Sequence, residues 1–118
     1  DMTTTMSKFL VMGMPMYEVI RCSTVNPALE IGHPELGHLS VGAVADVAVL
    51  NLMKGNFGYA DSFGGRINGG ERLLCELTLK DGRLAWDWNG RAATDYKEIA
   101  DRNYGTRDGE YLVMPPEA

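Results

Sequence analysis

Cysteine is scarce in this sequence, because its 118 residues include only Cys22 and Cys75. The two cysteines lie far apart and neither belongs to a CxxC pair. In a domain of this size, such thiols are typical of reduced residues packed in a core. The cysteine content therefore predicts a cytoplasmic protein without a disulfide framework.

Positive charge and long apolar runs are also lacking. Eleven Lys and Arg stand against 16 Asp and Glu, which gives a formal net charge of −5. Nucleic-acid binders concentrate Lys and Arg, so this balance argues against a nucleic-acid partner. No apolar run reaches the roughly 20 residues that span a bilayer, and no basic region followed by an apolar stretch opens the chain. We therefore expect no nucleic acid and no membrane as partner.

The remaining composition is that of an ordinary globular domain. A hydrophobic fraction of 45% in 118 residues suffices for one modest core. Residue 1 is Asp, so either Met2 follows a leftover residue or the sequence is a piece of a longer protein.

The first third of the chain has helical periodicity. Apolar residues recur at helical spacing in two successive stretches: Met2, Met6, Phe9 and Leu10, then Met16, Val19 and Ile20. Gly13 separates the two predicted helices. A short third helix is predicted with Asn26 as its cap, Pro27 as its first residue and Gly32 as its stop.

The middle of the chain has β character. Val47 to Met53 is apolar at every position but one, which predicts a strand covered on both faces. Gly42 suits a tight turn before this strand, and Asp46 is able to bond nearby backbone as the strand begins. Further on, two alternating segments flank Asp81-Gly82, which predicts a hairpin with a type I′ turn.

Glycines and a polar tail complete the chain. Phe57 to Ser62 is predicted to be a separate strand. No Lys-Ser/Thr pair or helix start follows the glycines after it, so we interpret them as turn glycines and not as a phosphate-binding loop: Gly64, Gly65, Gly69 and Gly70. From about residue 91 the chain is expected to be an irregular surface tail, with Tyr96, Tyr104 and Tyr111.

Two histidines are the candidates for a metal site. His33 and His38 have an HxxxxH spacing, and His is the commonest zinc ligand. The only nearby third ligands are Glu30 and Glu35, so surface or capping histidines are the favoured interpretation. No Ser-His-Asp order with elbow glycines is visible, and no catalytic residue and no metal ligand is assigned.

The order of several motifs resembles the C-terminal portion of the amidohydrolase superfamily, in particular its deacetylase and dihydroorotase-like metallohydrolases. An xTxNPA element is matched by Thr24, Asn26, Pro27 and Ala28. An LxxGxxADxxVL element is matched by Leu39, Gly42, Ala45, Asp46, Val49 and Leu50. The resemblance covers about residues 1–90. It implies that the chain leaves a (β/α)₈ barrel at this second element, which we call the exit element, and enters a small β-sandwich.

The resemblance also indicates what the chain lacks. Family members bind one or two divalent metals, zinc being the expected one, through an HxH pair, a carboxylated Lys or Glu, two further His and an Asp. None of these motifs is present, and Asp1 lacks the following His of the family's DxH segment. In the parent protein, the resemblance implies, a metal-bound hydroxide attacks a carbonyl and the Asp moves a proton to the leaving nitrogen. This chain would supply scaffold, with no cofactor of its own.

The sequence thus predicts an α+β fold: residues 1–35 resemble the last barrel helices, residues 36–90 a composite antiparallel β-sandwich, and residues 91–118 an irregular tail. The predicted function is that of the C-terminal segment of an amidohydrolase acting on amide or cyclic amide C–N bonds. Its expected partners are the missing N-terminal barrel and a second copy of itself. The alternative is a stand-alone β-domain for binding or assembly, with Trp86 and Trp88 in an exposed patch.

Overall fold

The fold is α+β, with three helices first, a sheet after them and one short helix following the sheet. The computed structural model describes residues 1–99, so Tyr104, Tyr111 and the rest of residues 100–118 lie outside the described residues. The elements are α1 (Met2–Val11), α2 (Met16–Ser23), α3 (Val25–Glu30), β1 (Val47–Ala60), β2 (Arg66–Lys80), β3 (Arg83–Asp87) and α4 (Tyr96–Ile99). The segregation of helices and antiparallel strands is confirmed. The helix α4 lies where an irregular tail is predicted.

The first two helices begin and end close to the predicted places. Asp1 caps α1, because its Oδ1 accepts a hydrogen bond from the Thr4 N–H at 2.7 Å. Gly13 follows α1 with φ +98°, a conformation that glycine adopts without strain. Pro15 then precedes α2 in extended geometry. Asp1 therefore acts as a helix cap.

The prediction for the start of α3 is wrong by two residues. The helix begins at Val25 with Thr24 in the cap position, so Asn26 and Pro27 lie inside its first turn. The Asn26 Nδ2 lies 3.8 Å from the Cys22 Sγ and caps nothing. Pro27 is tolerated there because the first N–H groups of a helix have no intrahelical acceptor. Gly32 ends the helix with φ +76°, as predicted.

The β2–β3 hairpin has the predicted turn. Lys80 pairs with Arg83, and the two turn residues have positive φ angles, 52° at Asp81 and 72° at Gly82. Two central residues with positive φ define the type I′ turn, whose twist matches that of the strands. The Asp-Gly signal is therefore confirmed.

The prediction that Val47 to Met53 is buried on both faces is wrong. β1 is an edge strand of the sheet, whose order is β1-β2-β3. Leu50 and Leu52 pack against the helices, whereas Val49 and Met53 are 48% and 36% exposed. Successive side chains of a strand point to opposite faces, so the helical layer covers only one of the two.

The glycine-rich segment is mostly strand. β1 continues to Ala60, with a register shift in its pairing with β2 between Lys54 and Phe57, and β2 already begins at Arg66. Gly69 and Gly70 therefore lie in a strand and not in a turn. Only Gly64 and Gly65 belong to the connection. A Cβ on Gly69 would lie 2.2 Å from the Val11 Cγ2, so the absence of a side chain lets α1 approach β2 closely.

The core lies between the first two helices and the sheet. It consists of Met6, Val19 and Leu73, with five partly buried side chains packed around it: Leu10, Met14, Met16, Leu50 and Leu52. Ser7 is fully buried at the same interface. Its Oγ donates to the Thr3 carbonyl at 2.6 Å and accepts from the Leu73 N–H at 2.9 Å, which joins α1 to β2.

The prediction of two core cysteines is wrong for Cys22. Both thiols are free, and Cys75 is partly buried, but Cys22 is exposed. Cys22 lies on α2 beside the groove between α1 and α2, with its Sγ 3.8 Å from the Asn26 Nδ2.

Candidate functional site

The exit element begins with the predicted turn. Gly42 has φ +87°, and the Ala43 N–H donates to the Ser40 carbonyl at 3.0 Å. A Cβ on Gly42 would meet no atom within 4 Å. Glycine is therefore required here by the backbone angle and not by crowding.

Ala45 and Asp46 dock onto the turn of the β2–β3 hairpin. The Asp46 carboxylate accepts from the Asp81 N–H at 2.8 Å and from the Lys80 Nζ at 2.9 and 2.7 Å. The Ala45 carbonyl accepts from the Gly82 N–H at 2.9 Å. We call these contacts the Asp46 latch. Asp46 was expected to bond backbone close to it in the sequence, but the N–H that it binds belongs to Asp81, 35 residues further along the chain.

The latch is charge-assisted. The Lys80 ammonium lowers the pKa of Asp46 below its ordinary value, and the Asp81 N–H acts in the same direction. The Asp46 carboxylate in turn raises the pKa of Lys80. Both groups are thus held in their charged forms at neutral pH, although their exposure to water limits what the ion pair contributes.

Gly37 is a structural residue that sequence reasoning missed. Its φ is +78°, and a Cβ there would lie 2.6 Å from the Thr24 carbonyl oxygen. The loop before the exit element therefore lies directly against the α2–α3 junction. The positive φ was foreseeable for a glycine, but the contact with Thr24 has no signal in the sequence.

The two histidines occupy separate surface positions. The His33 Nδ1 lies 2.7 Å from the Glu35 Oε1, and this contact lowers the pKa of the Glu35 carboxyl. The His38 Nδ1 accepts from the Ser40 N–H at 3.4 Å. Within residues 1–99, no three His, Cys, Asp or Glu side chains are grouped so that they could hold a metal ion.

Glu76 is a buried carboxylate that the sequence analysis did not single out. It is the extra residue in β2 where the pairing with β1 shifts register, and it is only 6% exposed. Its oxygens accept from Asn51 at 3.3 Å and Asn89 at 3.0 Å, and the Arg91 Nε lies 3.4 Å away. With both oxygens engaged, Glu76 ties β1 to the segment after β3. This arrangement is structural, not that of a free general base.

The two tryptophans are exposed, Trp86 within β3 and Trp88 one residue beyond its end. Trp86 and Trp88 are 51% and 48% exposed. Trp86 pairs with Thr78, and its indole N–H donates to the Cys75 carbonyl at 3.2 Å. Trp88 lies beyond the end of β3, where its backbone N–H donates to the Glu76 carbonyl. Both indoles are therefore accessible at this end of the sheet.

Apolar side chains also line a groove on the helical layer. The groove lies between α1 and α2 and has a volume of about 280 Å³. Its lining includes Met2, Met6, Phe9, Met14 and Val19. Other large apolar side chains of the helical segment are exposed to solvent: Tyr17, Ile20, Leu29 and Ile31.

Comparison with known proteins supports the resemblance noted from the sequence. The chain is 41% identical over 64 residues to a deacetylase of Brucella anthropi, a match that covers 54% of this chain and 16% of the relative. It also resembles the crystal structure of an adenine deaminase, with a TM-score of 0.69 and 28% identity over 74% of this chain and 23% of that one. No family model matches.

These matches confirm that the chain has amidohydrolase-like relatives over part of its length. The chain spans less than a quarter of either matched protein. Separately, none of the helices within residues 1–99 has the length and apolar character to cross a membrane.

Proposed function

We propose that this chain is the C-terminal segment of a metal-dependent amidohydrolase that hydrolyses amide or cyclic amide C–N bonds. In this role it supplies scaffold and no catalytic residue. The observation that carries the proposal is the fold similarity to an adenine deaminase, which extends over 74% of the chain at 28% identity. The separate match to a deacetylase supports the same class of protein.

The outer surface of the helices fits this proposal. A helix that packs only against its own sheet normally presents polar residues to water on its other side. Here Tyr17, Ile20, Leu29 and Ile31 are between 43% and 68% exposed. An apolar surface of this kind is typical of a face that another part of a protein covers. We assign that role to the barrel that would precede residue 1.

The residues described here do not fit a catalytic metal centre. A catalytic zinc needs three protein ligands around an open position. No such group exists within residues 1–99, and His33 is engaged with Glu35 at the surface. In this proposal the divalent metal, zinc, is held by residues of the longer protein that lie outside this chain.

A binding or assembly module is the second candidate. It is favoured by one observation, the exposure of Leu84, Trp86 and Trp88 near β3, because aromatic residues are enriched at the centres of protein interfaces. In that case the chain would act without any associated reaction.

The experiment begins with the DNA upstream of the codon for Asp1. We expect the reading frame to continue into HxH and DxH segments, and the longer protein to hydrolyse amides or cyclic amides in a metal-dependent way. Substitution of the upstream HxH histidines serves as the negative control. A reading frame that opens at Met2 would instead support the binding module.

A further inference from the structure

Two Asn-Gly pairs occur in the chain, and the structure gives them different surroundings. Asn68-Gly69 lies within β2, where both residues pair with β1 and Gly69 is partly buried close to Val11. Asn89-Gly90 lies in the turn after β3, where both residues are exposed and Gly90 has φ +62°. The same dipeptide is thus held in a strand at one place and presented in a turn at the other.

An Asn-Gly pair is open to deamidation. The backbone nitrogen of the glycine attacks the side-chain carbonyl carbon of the asparagine, a C–N bond forms, and the side-chain nitrogen leaves as ammonia. Water then opens the cyclic imide, so the net reaction consumes one water and gives aspartate or isoaspartate. Glycine permits the attack because it has no Cβ to hinder it. The backbone must also rotate toward the side chain, which a strand ladder resists more than an exposed turn does.

We propose that Asn89 is a site of spontaneous deamidation, that β2 protects Asn68 from the same reaction, and that the product loosens the segment after β3 from the sheet. The contacts that carry this proposal are formed within residues 51–92 and do not depend on chain that precedes residue 1. The proposal is also independent of which of the two candidate functions is correct.

The Asn89 amide lies beside a buried carboxylate. Its Nδ2 donates to the Glu76 Oε2 at 3.0 Å, and Glu76 is only 6% exposed. This bond orients the nitrogen that must leave, while Asn89 itself stays exposed to water. The nitrogen takes up a proton as it departs, and a carboxylate at this distance stabilises the positive charge that it acquires. The contact is therefore compatible with the reaction.

The product places a second carboxylate against Glu76. Aspartate at position 89 has no N–H to donate, and its negative charge lies near the Glu76 oxygen that the amide now binds. The contacts of Glu76 with Asn51 and Arg91 remain, but its third partner has become repulsive. Isoaspartate in addition inserts a carbon atom into the main chain of the turn. Both products should therefore weaken the attachment of this segment to β2.

Mass spectrometry of the 118-residue chain tests the site. After incubation at mildly alkaline pH, the peptide that contains Asn89 should carry severalfold more deamidation than the peptide that contains Asn68. Asn89→Gln should abolish this mass gain, because Gln closes a larger ring far more slowly. Asn68→Gln is the matched control and should leave the gain at Asn89 unchanged. Equal deamidation of the two peptides, or an unmodified Asn89, would overturn the proposal.

The same incubation in concentrated urea separates the fold from the local sequence. With the strand unfolded, the two Asn-Gly pairs should react at similar rates. A preference for Asn89 that persists undiminished in urea would show that β2 does not protect Asn68.

The consequence is tested with Asn89→Asp, which reproduces one product. This variant should lower the midpoint of urea denaturation, and the shift should be smaller when Asn89→Asp is made in the E76Q variant, which has no second charge to oppose it. Asn68→Asp makes the same change of net charge on an exposed strand residue and should shift the midpoint less. Comparison of incubated with fresh wild type gives the same measurement without any substitution. An Asn89→Asp variant as stable as the wild type, or equal shifts with Glu and Gln at position 76, would overturn the proposed loosening.

Discussion

At Gly42 the effect of the backbone angle is separable from the effect of crowding. Its φ is +87°, and an added Cβ would meet no atom within 4 Å. Gly42→Val should reduce the free energy of unfolding by about 1–3 kcal/mol, since a β-branched residue is strained in this region. His33→Ala and His38→Ala should each cost less than about 1 kcal/mol, because both are surface residues. Chemical denaturation of the three variants compares them. Histidine variants that lose more than the glycine variant would contradict these roles.

The ion pair of Asp46 with Lys80 should make the stability of the fold depend on pH, with an acidic and an alkaline limit. Because its folded pKa lies below the ordinary 3.8, its ionised form stabilises the fold above that pH, and the effect is lost as pH falls through the lowered pKa. Because the pKa of Lys80 is raised above 10.5, the ammonium stabilises the fold below that pH, and the effect is lost as pH rises through the raised pKa.

Asp46→Asn tests this window, since Asn keeps an oxygen for the Asp81 N–H and removes only the charge. The difference in unfolding free energy between wild type and variant should be constant between about pH 5 and 9 and shrink outside it. Lys80→Gln is the companion variant and should reproduce the same profile. A difference that does not change from pH 2 to 11 would show that the ion pair contributes nothing.

At the residue scale, sequence reasoning succeeded where a single residue type carries the information. Gly42 in a short loop and the Asp81-Gly82 pair between strands both predict positive φ angles, and both predictions were confirmed. The partner of Asp46 was not predictable, because Lys80 and Asp81 follow after more than 30 residues and their approach depends on the whole sheet.

At the scale of elements, the docking of α1 on β2 depends on Ser7. Ser7→Ala leaves the Leu73 N–H buried without its acceptor, which should cost about 1–3 kcal/mol of unfolding free energy. Ser23→Ala is the matched control, because the Ser23 Oγ bonds only to the Val19 carbonyl of its own helix. In thermal or chemical denaturation, Ser23→Ala should lower the free energy of unfolding only slightly. Equal effects at both positions would mean that Ser7 does not join the two elements.

The same interface depends on the closeness of Gly69 to Val11. Gly69→Ala places a methyl group 2.2 Å from the Val11 Cγ2, so α1 must move away, at a cost of about 1–3 kcal/mol. Val11→Ala should lower the free energy of unfolding much less in the Gly69→Ala variant than in the wild type. Gly70→Ala is the control, because its added Cβ would meet nothing closer than 3.9 Å. Additive effects in the double variant would exclude the contact.

Element types were more predictable than element surroundings. The helices and the hairpin follow from local periodicity and turn residues, which act within a few positions. The burial of β1 was predicted incorrectly because an apolar sequence shows that a strand is suited to a covered position, whereas only the assembled chain shows whether a layer covers it. The start of α3 was missed for the opposite reason, since Asn26 and Pro27 together form a stronger local signal than Thr24, which occupies the cap position without a capping hydrogen bond from its side chain.

At the scale of the whole molecule, the purified chain should have no hydrolase activity and retain no stoichiometric zinc. The proposed metal ligands lie outside it, and a catalytic zinc needs three ligands in a fixed geometry. Metal analysis after gel filtration measures this directly. One zinc per chain that survives a mild chelator would contradict the expectation and point to His33 and His38. The double variant His33→Ala/His38→Ala would then be the control.

The Asp46 latch also constrains the order in which the chain folds. Its donors belong to the turn of the β2–β3 hairpin, a local structure of low contact order that forms on a microsecond timescale in isolated hairpins. Its acceptors lie about 35 residues earlier, so closing this loop costs chain entropy before any contact is gained. We therefore expect the hairpin to form before Asp46 binds its turn.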